Sequence, residues 1–330
     1  MVEGDTIAVV IPCFRIGRQI LSVIDEIPQI VNEIFVVDDG CPLKTGEIIM
    51  QENSDPRVRV IFHEENKGIG AAMKTGYTAA LASKHQIVVK MDGDGQMDPD
   101  KILKLTMPLT SNRADYAKGN RFSHPQDLQE MPKVRLFGNL ALSLFAKVST
   151  GYWHIFDPNN GFTAINSNTL EIMELSRVSD GYFFESDMLF NLGKENARVI
   201  DVPIAAIYKD EVSNLSVSKS IVEFAIKHLR NTIERMQLVS ASGSSRVPLV
   251  LRQIASTKNY VSLIGVSLLF SSVLLLNGRS LVEFLILPLA ILFLGILRLS
   301  WFVVKDARFH IRNGASCGEI CIQNNGNQIG

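Results

Sequence analysis

Short apolar stretches alternate with stretches of helical spacing from residue 6 to about residue 210, and this alternation limits the fold more than any other feature of the 330-residue chain. The apolar stretches have the length of buried strands, and the stretches between them repeat apolar residues at the period of a helix. This order predicts an α/β fold with a mostly parallel, doubly wound sheet flanked by helices. We predict strands at Thr6–Ile11, Glu33–Val37, Arg57–Phe62 and Gln86–Met91, and helices at Gln19–Ile30, Ala71–Ala82 and Met131–Lys147.

Polar residues follow three of these strands at the point where each strand ends. The three clusters are Cys13-Phe14-Arg15, Asp38-Asp39 and Asp92-Gly93-Asp94. In an open parallel sheet the carboxyl ends of the strands converge on one crevice, and ligands bind there. We therefore expect the three clusters to lie together in a binding cleft.

The third cluster, which continues as Asp92-Gly93-Asp94-Gly95-Gln96, indicates a divalent cation. Two carboxylates in Asp-x-Asp spacing are hard oxygen ligands, which suit Mg²⁺ or Mn²⁺. An ion held by a few protein oxygens usually shares its other coordination sites with water and a substrate diphosphate. A turn after a strand has a similar composition, so the surrounding motifs must decide between the two interpretations.

The composition allows a sizeable core and argues against nucleic acid as a partner. Hydrophobic residues make up 46% of the chain, and its formal net charge is −1 at pH 7, so no bulk charge attracts a polyanion. The four cysteines do not form the framework of a small disulfide-rich secreted protein. Residues 1–5 lack a basic region followed by an apolar run, so we do not expect a cleaved signal peptide.

The character of the chain changes after residue 215. Residues 216–258 combine helically spaced apolar residues with an excess of Lys and Arg, as in a basic amphipathic juxtamembrane helix on anionic lipid. Two long apolar runs follow, Tyr260–Leu276 and Phe284–Leu297, and neither contains a charged residue. Each is long enough to cross the ~30 Å hydrocarbon core as a helix. Residues 259–305 therefore predict a transmembrane hairpin, with a buried helical hairpin of a soluble protein as the alternative.

Basic residues on both sides of this hairpin predict that its two ends face the cytoplasm. We accordingly predict an integral protein of the cytoplasmic membrane, with residues 1–215 and the C-terminus in the cytoplasm. Residues 306–330 are polar, rich in Gly and Asn, and predicted to be disordered. Small residues such as Gly265 and Ser272 permit close contact between helices, so the sequence leaves open whether the protein forms a homo-oligomer.

Six motifs occur in order along the chain, and together they resemble those of family 2 inverting glycosyltransferases of the GT-A fold. Within that family the chain looks like the polyprenyl- and dolichol-phosphate sugar synthases, whose bacterial members have a C-terminal transmembrane hairpin. The resemblance covers about residues 6–215 and implies that 1–215 is the catalytic domain. It implies transfer of a hexose from a UDP- or GDP-sugar to polyprenyl phosphate at the cytoplasmic face. The motifs are Val9-Val10-Ile11-Pro12, Val36-Val37-Asp38-Asp39-Gly40, Asn66-Lys67-Gly68-Ile69-Gly70, Asp92-Gly93-Asp94-Gly95-Gln96, Gly119-Asn120-Arg121 and Asn160-Gly161-Phe162.

The resemblance also implies roles on the donor side of the site. Asp39 would contact the nucleobase or ribose, Asp92 would contact the nucleotide near the ribose and the metal, and Asp94 and Gln96 would ligate Mg²⁺ or Mn²⁺. Many relatives have Asn-Glu shortly after the first proline, which this chain lacks, so the nucleotide is left open. The other candidates for the nucleotide-sugar site are Pro12, Phe14, Arg15, Gly68, Gly70 and Lys209.

On the acceptor side the resemblance implies that Arg121 and Arg135 bind the acceptor phosphate, because guanidinium groups bond phosphate oxygens in pairs. Glu185 and Asp187 lie where many family members have the general base that deprotonates an acceptor hydroxyl. A phosphate anion needs no strong base, and these carboxylates would then position a sugar or a basic residue. The candidate catalytic residues are Asp94, Arg121, Glu185 and Asp187.

Three other functions are weighed against this one. The first keeps the enzyme and changes the acceptor to a hydroxyl of a lipid-linked or surface polysaccharide. The second is a nucleotidyltransferase, which normally has a glycine-rich loop with a basic residue after the first strand, and Pro12-Cys13-Phe14-Arg15 does not supply one. The third is a non-catalytic membrane scaffold, which would be free to lose the metal-binding residues that this chain retains.

Overall fold

The computed structural model describes residues 6–122, 133–204 and 217–241, and the side chains of 6–122, 142–204 and 223–235. The predicted hairpin at 259–305, the polar tail, Lys209 and the side chain of Arg135 lie outside the described residues. Met1–Ala225 form one compact unit, and the described residues after Ala225 belong to a second. Within the described part of the chain, no helix combines the length and apolar composition needed to cross a membrane.

Seven strands of the described residues form one mixed sheet, in the order β3-β2-β1-β4-β6-β5-β7. Strand β6 is antiparallel to both of its neighbours, and all other neighbours are parallel. The predicted α/β fold with a mostly parallel sheet is therefore confirmed, whereas the antiparallel strand was not predicted. The strands are β1 Ile7–Cys13, β2 Glu33–Asp39, β3 Val58–His63, β4 Ile87–Lys90, β5 Tyr116–Asn120, β6 Thr163–Asn166 and β7 Val199–Pro203.

Strand β1 continues through Pro12 to Cys13, so the predicted end at Ile11 is wrong. Proline cannot donate a hydrogen bond to a neighbouring strand, which usually keeps it out of central strands. Here β4 ends at Lys90, opposite Val10, while β2 continues opposite Pro12. Pro12 therefore lies where β1 has a neighbouring strand on one side only, and its missing N–H leaves no partner unsatisfied.

Eight helices of the described residues connect or follow these strands. The predicted helix Gln19–Ile30 ends early, at Asp25, because Pro28 cannot continue a helix and disfavours helical backbone in the residue before it. The other two predicted helices are present: one begins at Ile69, two residues early, and ends at Ala82 as predicted, and the other begins two residues late and ends three residues late. The helices are α1 Gln19–Asp25, α2 Thr45–Glu52, α3 Ile69–Ala82, α4 Ile102–Thr110, α5 Lys133–Thr150, α6 Ser167–Ile172, α7 Phe184–Lys194 and α8 Val217–Ala241.

Both faces of the sheet are buried, because alternate residues of each strand point to opposite sides. Ile7, Val9 and Ile11 of β1 face a core shared with α1, α2 and α4. Ala8 and Val10 face a second core, shared with α3, α6 and α7. Each fully buried Val or Ile stabilises the fold by about 1.5–3 kcal/mol, and these two cores fix the strand ends that carry the polar clusters.

Candidate active site

A cleft opens where β4 and β5 end and β6 begins. Because β6 is antiparallel, the loop before it lies at the same edge of the sheet as the carboxyl ends of β4 and β5. The cleft therefore combines residues from four segments that are far apart in sequence. They are Asp92, Asp94, Gln96 and Met97 after β4, Arg121 after β5, Asn159, Asn160, Gly161 and Phe162 at the start of β6, and Ile204 after β7.

Asp94 and Gln96 lie on the tight turn that follows β4. The Gln96 amide donates to Asp94 Oδ1 at 3.0 Å, and Gln19 Nε2 donates to the Asp94 carbonyl at 2.5 Å. No three of the described His, Cys, Asp and Glu side chains are gathered into a metal site. The oxygen donors of Asp92, Asp94 and Gln96 nevertheless face one cleft, and this donor set fits a hard divalent cation that takes its remaining ligands from a substrate.

Asp92 is held from behind by a buried lysine that the sequence analysis did not single out. Lys90 Nζ donates to Asp92 Oδ1 at 2.7 Å and lies 3.1 Å from Glu185 Oε1 on α7. The Lys90 side chain is 1% exposed. Burial alone would lower the pKa of Lys90, but the two carboxylates outweigh it and raise this pKa above its usual value. The available signal was a charged residue directly after the apolar Ile87–Val89 stretch, within the predicted strand Gln86–Met91.

A second buried lysine, Lys118, lies on the same face of the sheet. The strand registers place Lys90 and Lys118 on either side of Thr163. Lys118 Nζ donates a short hydrogen bond to the Asn160 carbonyl, behind the wall of the cleft. Burial lowers the pKa of Lys118 to about 8, with the carboxylates of Glu185 and Asp157 opposing that shift. Both lysines therefore support the cleft from the core side.

Arg121 lines the opposite side of the cleft and is oriented by a buried carboxylate. Its Nε donates to Asp157 Oδ2 at 2.6 Å and its Nη2 donates to Asp157 Oδ1 at 2.9 Å. The Asp157 side chain is 2% exposed and that of Arg121 is 23% exposed. A bidentate pair of this kind fixes the plane of the guanidinium group, so Arg121 presents a cation of defined orientation to the cleft.

Asp201, next to this pair, is a buried carboxyl that the sequence analysis also missed. Its Oδ2 accepts hydrogen bonds from the Phe156 amide at 2.8 Å and from Asn120 Nδ2 at 3.0 Å, whereas its Oδ1 is buried without a hydrogen-bond partner. Burial raises the pKa of Asp201 to about 7, and the nearby charge of Asp157 adds to the effect. Nothing in the motif pattern separated this residue from an ordinary strand aspartate.

Asp39 has different partners from those predicted. Its carboxylate is buried and accepts hydrogen bonds from the amides of Lys67 and Gly68 at 3.0 and 2.9 Å. His63 Nδ1 lies 2.6 Å from the same group. In this conformation Asp39 holds the loop before α3, and a direct contact with a nucleobase or ribose stays a prediction.

The backbone segment that comes close to Gly68 and Gly70 is a part of the protein itself. The Asp180 carbonyl accepts a hydrogen bond from the Gly70 amide at 2.7 Å. Gly68 has φ +98°, and a Cβ there would lie 2.5 Å from the same carbonyl oxygen. The two glycines allow the loop before α7 to cover the N-terminus of α3, and their close approach to a nucleotide stays a prediction.

The cluster after β1 is partly accessible. Pro12 is buried in the sheet, and its contact with the donor stays a prediction. Phe14 is 38% exposed, and the Arg15 guanidinium lies 5.1 Å from the centre of its ring. Arg15 has φ 61°, and its amide donates to Cys41 Sγ at 3.0 Å. Nucleotide binding by Phe14 and Arg15 stays a prediction.

The two candidate bases on α7 point in different directions, because residues two apart on a helix face nearly opposite sides. Glu185 faces Lys90, behind the cleft. Asp187 Oδ2 instead accepts hydrogen bonds from the Ser179 amide and hydroxyl at 2.9 and 2.8 Å. The structure therefore joins Glu185 to Asp92 and assigns Asp187 to the loop before α7.

This fold occurs in a class of transferases of known structure. The chain is similar to glucosyl-3-phosphoglycerate synthase from Mycobacterium tuberculosis, solved in complex with Mn²⁺, uridine diphosphate and glucosyl-3-phosphoglycerate. The TM-score is 0.53 at 20% identity, covering 70% of this chain and 80% of that one. The similarity supports a GT-A-like α/β fold.

Sequence comparison identifies the family. Residues 8–171 match the model described as glycosyl transferase family 2. The chain is 28% identical over 218 residues to UDP-N-acetylglucosamine--dolichyl-phosphate N-acetylglucosaminyltransferase of Methanococcus voltae, covering 62% of this chain and 86% of that one. It is 28% identical over 204 residues to undecaprenyl-phosphate mannosyltransferase of Micrococcus luteus, covering 61% and 82%. The chain belongs to glycosyl transferase family 2, as predicted, and is an enzyme of the hexosyltransferase type.

Proposed function

We propose that this enzyme transfers a hexosyl group from a nucleotide sugar to the phosphate of a polyprenyl phosphate, with inversion at the anomeric carbon. The observation that carries the proposal is the composition of the cleft, where the oxygen ligands of Asp94 and Gln96 and the oriented guanidinium of Arg121 line the same space. The first group suits a metal-bound diphosphate, and the second suits a phosphate acceptor.

The relatives support this acceptor. The Methanococcus and Micrococcus proteins are named for different sugars, N-acetylglucosamine and mannose, but both are named for a polyprenyl-type phosphate. The same acceptor chemistry across two sugars supports it for this chain as well. The sugar and the nucleotide of the donor, UDP or GDP, are left to experiment.

The contacts of the two candidate bases also favour a phosphate acceptor over a hydroxyl. Glu185 is paired with Lys90, and Asp187 accepts two hydrogen bonds from Ser179. Both carboxylates are therefore already bound by other groups of the protein. A phosphate monoester has a second pKa of about 6 and is already an anion at neutral pH, so it attacks without a base.

The reaction follows from these positions. Arg121 orients the acceptor phosphate, one of whose oxygens attacks C1 of the sugar. The bond between C1 and the diphosphate oxygen breaks, and its electron pair leaves with the nucleoside diphosphate. Asp94 and Gln96 would hold Mg²⁺ or Mn²⁺, which would supply Lewis-acid neutralisation of that leaving group. Attack opposite to the leaving group inverts the anomeric centre.

We further propose that the predicted hairpin at 259–305 anchors the enzyme in the cytoplasmic membrane, with the catalytic domain and the C-terminus in the cytoplasm. The support is the length of the two charge-free runs and the basic residues around them. Such an anchor keeps the cleft near a lipid whose phosphate lies at the membrane surface. Proteolysis of sealed inverted and right-side-out vesicles would test the orientation.

The test of the activity is a transfer assay with the full chain in detergent, Mg²⁺ or Mn²⁺, radiolabelled UDP- and GDP-sugars, and undecaprenyl or dolichyl phosphate. Label should enter the lipid phase with one donor, in a product labile to mild acid, and an Asp94→Ala variant should lose it. Donor hydrolysis without lipid labelling would point to a hydroxyl acceptor. No donor consumption with any sugar nucleotide would refute the proposal.

A further inference from the structure

The environment of Lys90 is unusual for a residue inside a strand. Lys90 ends β4 and shares with Val88 the face that packs on the core around α3 and α7. A strand buried on both faces normally carries apolar residues at such positions. A buried ammonium group is tolerated only when its donors are paired, so the contacts of Lys90 indicate why a lysine is there.

Three oxygen atoms surround the Lys90 ammonium, which matches its three donors. They belong to Asp92 at 2.7 Å, Glu185 at 3.1 Å and the Gly161 carbonyl at 3.4 Å. Of the two carboxylates, Asp92 is 29% exposed and reaches the cleft, whereas Glu185 is 11% exposed. Lys90 therefore connects a carboxylate of the cleft to a carboxylate anchored on a helix behind it.

The space around this group is closed on the side of the cleft wall. A Cβ on Gly161 would lie 2.5 Å from Lys90 Nζ and 2.7 Å from Asp92 Oδ2. Asp92 is thus confined between the ammonium and the Gly161 backbone. Residues that orient a ligand by a hydrogen bond from behind usually affect binding strongly without touching the substrate.

We propose that Lys90 and Glu185 are a positioning pair for the donor site. Glu185 anchors the ammonium of Lys90, and Lys90 holds the carboxylate of Asp92 in the orientation that receives the metal-bound nucleoside diphosphate. This inference rests on the proposed function, because it takes the cleft at Asp92 and Asp94 as the donor site. It also gives Glu185 a role other than general base.

The charge of Lys90 adds a second effect. A nucleoside diphosphate with one divalent cation has a net negative charge, while Asp92, Asp94 and Glu185 are all acidic. The buried ammonium is poorly screened by solvent and offsets part of that acidic charge beneath the cleft. Loss of Lys90 should therefore weaken binding of the diphosphate more than binding of the free metal ion.

The experiment compares Lys90→Met, Glu185→Gln, the double variant and the wild type. Isothermal titration with UDP and with GDP, each with Mn²⁺, measures nucleotide affinity, and titration with Mn²⁺ alone measures the metal. Lys90→Met should lower the affinity for whichever nucleotide the wild type binds by about 10- to 100-fold. The affinity for Mn²⁺ alone should not fall to that extent. In transfer kinetics, the donor KM should rise by a larger factor than that by which kcat falls.

The double variant separates positioning from stability. Lys90→Met leaves Asp92 and Glu185 facing each other without a cation, so its unfolding temperature should fall. Adding Glu185→Gln removes one of the two charges and should restore much of that temperature, while nucleotide affinity stays low because Asp92 still lacks its partner. Recovery of affinity together with stability would overturn the inference.

Lys118→Met is the matched comparison, because it removes another buried ammonium from the same face, one that donates to the Asn160 carbonyl rather than to Asp92. It should weaken nucleotide binding less than Lys90→Met does, and an equal loss would mean that any buried lysine has this effect.

Glu185→Gln alone should mainly raise the donor KM, whereas a fall of about 100-fold or more in kcat would support a general base instead. If the wild type binds neither nucleotide, the proposed function itself fails, and this inference falls with it.

Discussion

Gly161 offers a direct test of how tightly the cleft is built. Its backbone φ lies outside the left-handed region, so alanine fits the backbone, and only the added methyl group matters. That methyl carbon would lie 2.5 Å from Lys90 Nζ, whereas ordinary contacts begin at 3.4 Å. The ammonium would have to move by about 0.9 Å, and Asp92 Oδ2, at 2.7 Å, by about 0.7 Å.

A displacement of this size should impair transfer strongly while the protein still folds. A misplacement of about 1 Å in a site can cost about 100-fold in rate, which corresponds to about 2.7 kcal/mol at the transition state. Overpacking a site typically costs about 1–3 kcal/mol of stability. We therefore expect Gly161→Ala to fold, with kcat/KM for the donor lowered about 100-fold. Steady-state transfer kinetics and thermal unfolding of the same preparation measure both quantities.

Gly181→Ala is the control, because a Cβ there meets nothing within 4 Å. It should retain wild-type kinetics. If Gly161→Ala also kept kcat/KM within about twofold of wild type, Asp92 and Lys90 would not need their present positions, and the reasoning from sub-ångström displacement would be refuted. A Gly161→Ala chain that does not fold would equally contradict the expected division between activity and stability.

Three further predictions concern other parts of the site. Asp157→Asn should raise the KM for the lipid phosphate about tenfold and the donor KM little, because Arg121 loses one partner of its buried bidentate pair; kinetics with each substrate varied would show this. EDTA should abolish transfer, and added Mn²⁺ or Mg²⁺ should restore it, since only oxygen ligands are offered at Asp94 and Gln96. Asp201→Asn should raise the unfolding temperature increasingly from about pH 4 to about pH 7, and equally above that. The sign follows because burial raises the pKa of Asp201 to about 7, so the folded carboxyl retains a proton that the unfolded chain has lost, and wild-type stability falls as the pH rises through this range.

Each of these predictions has a distinct failing result. An equal rise in both KM values for Asp157→Asn would mean that Arg121 does not act on the acceptor phosphate in particular. Full activity in EDTA would remove the metal from the mechanism. An Asp201→Asn variant with the same unfolding temperature as wild type above pH 7 would show that this carboxyl ionises in the folded state without cost.

The secondary structure followed closely from local pattern. The first four strands and three helices appear where apolar periodicity predicted them, with bounds that differ by a few residues, and two of these differences involve prolines. Pro12 did not end β1, because the neighbouring strand β4 had already stopped, and Pro28 shortened α1. Whether a proline ends an element depends on which neighbours need its missing N–H, and those neighbours are set by the sheet.

The candidate site was predicted less completely than the secondary structure. The Asp-x-Asp turn lines one cleft with Arg121, whereas the residues of Cys13-Phe14-Arg15 and Asp38-Asp39, which were expected to join that turn, do not line this cleft. Asp39, Gly68 and Gly70 instead hold and accommodate the protein's own loops in this conformation, because a turn that can approach a ligand can equally approach another backbone segment. Lys90, Lys118 and Asp201 were not singled out, since a motif search passes over single charged residues in apolar strands.

The sequence by itself determined the family, the alternating α/β order and the residue types at the strand ends, because periodicity and short motifs are local properties of the chain. Only the tertiary structure decided which of these residues meet. The antiparallel β6 brings Asn160 and Gly161 to the ends of β4 and β5, and α7 brings Glu185, 95 positions from Lys90 in the sequence, to within 3.1 Å of its ammonium. Such pairings depend on strand order and on the cost of leaving a buried charge unpaired, and neither can be read from one segment of the chain.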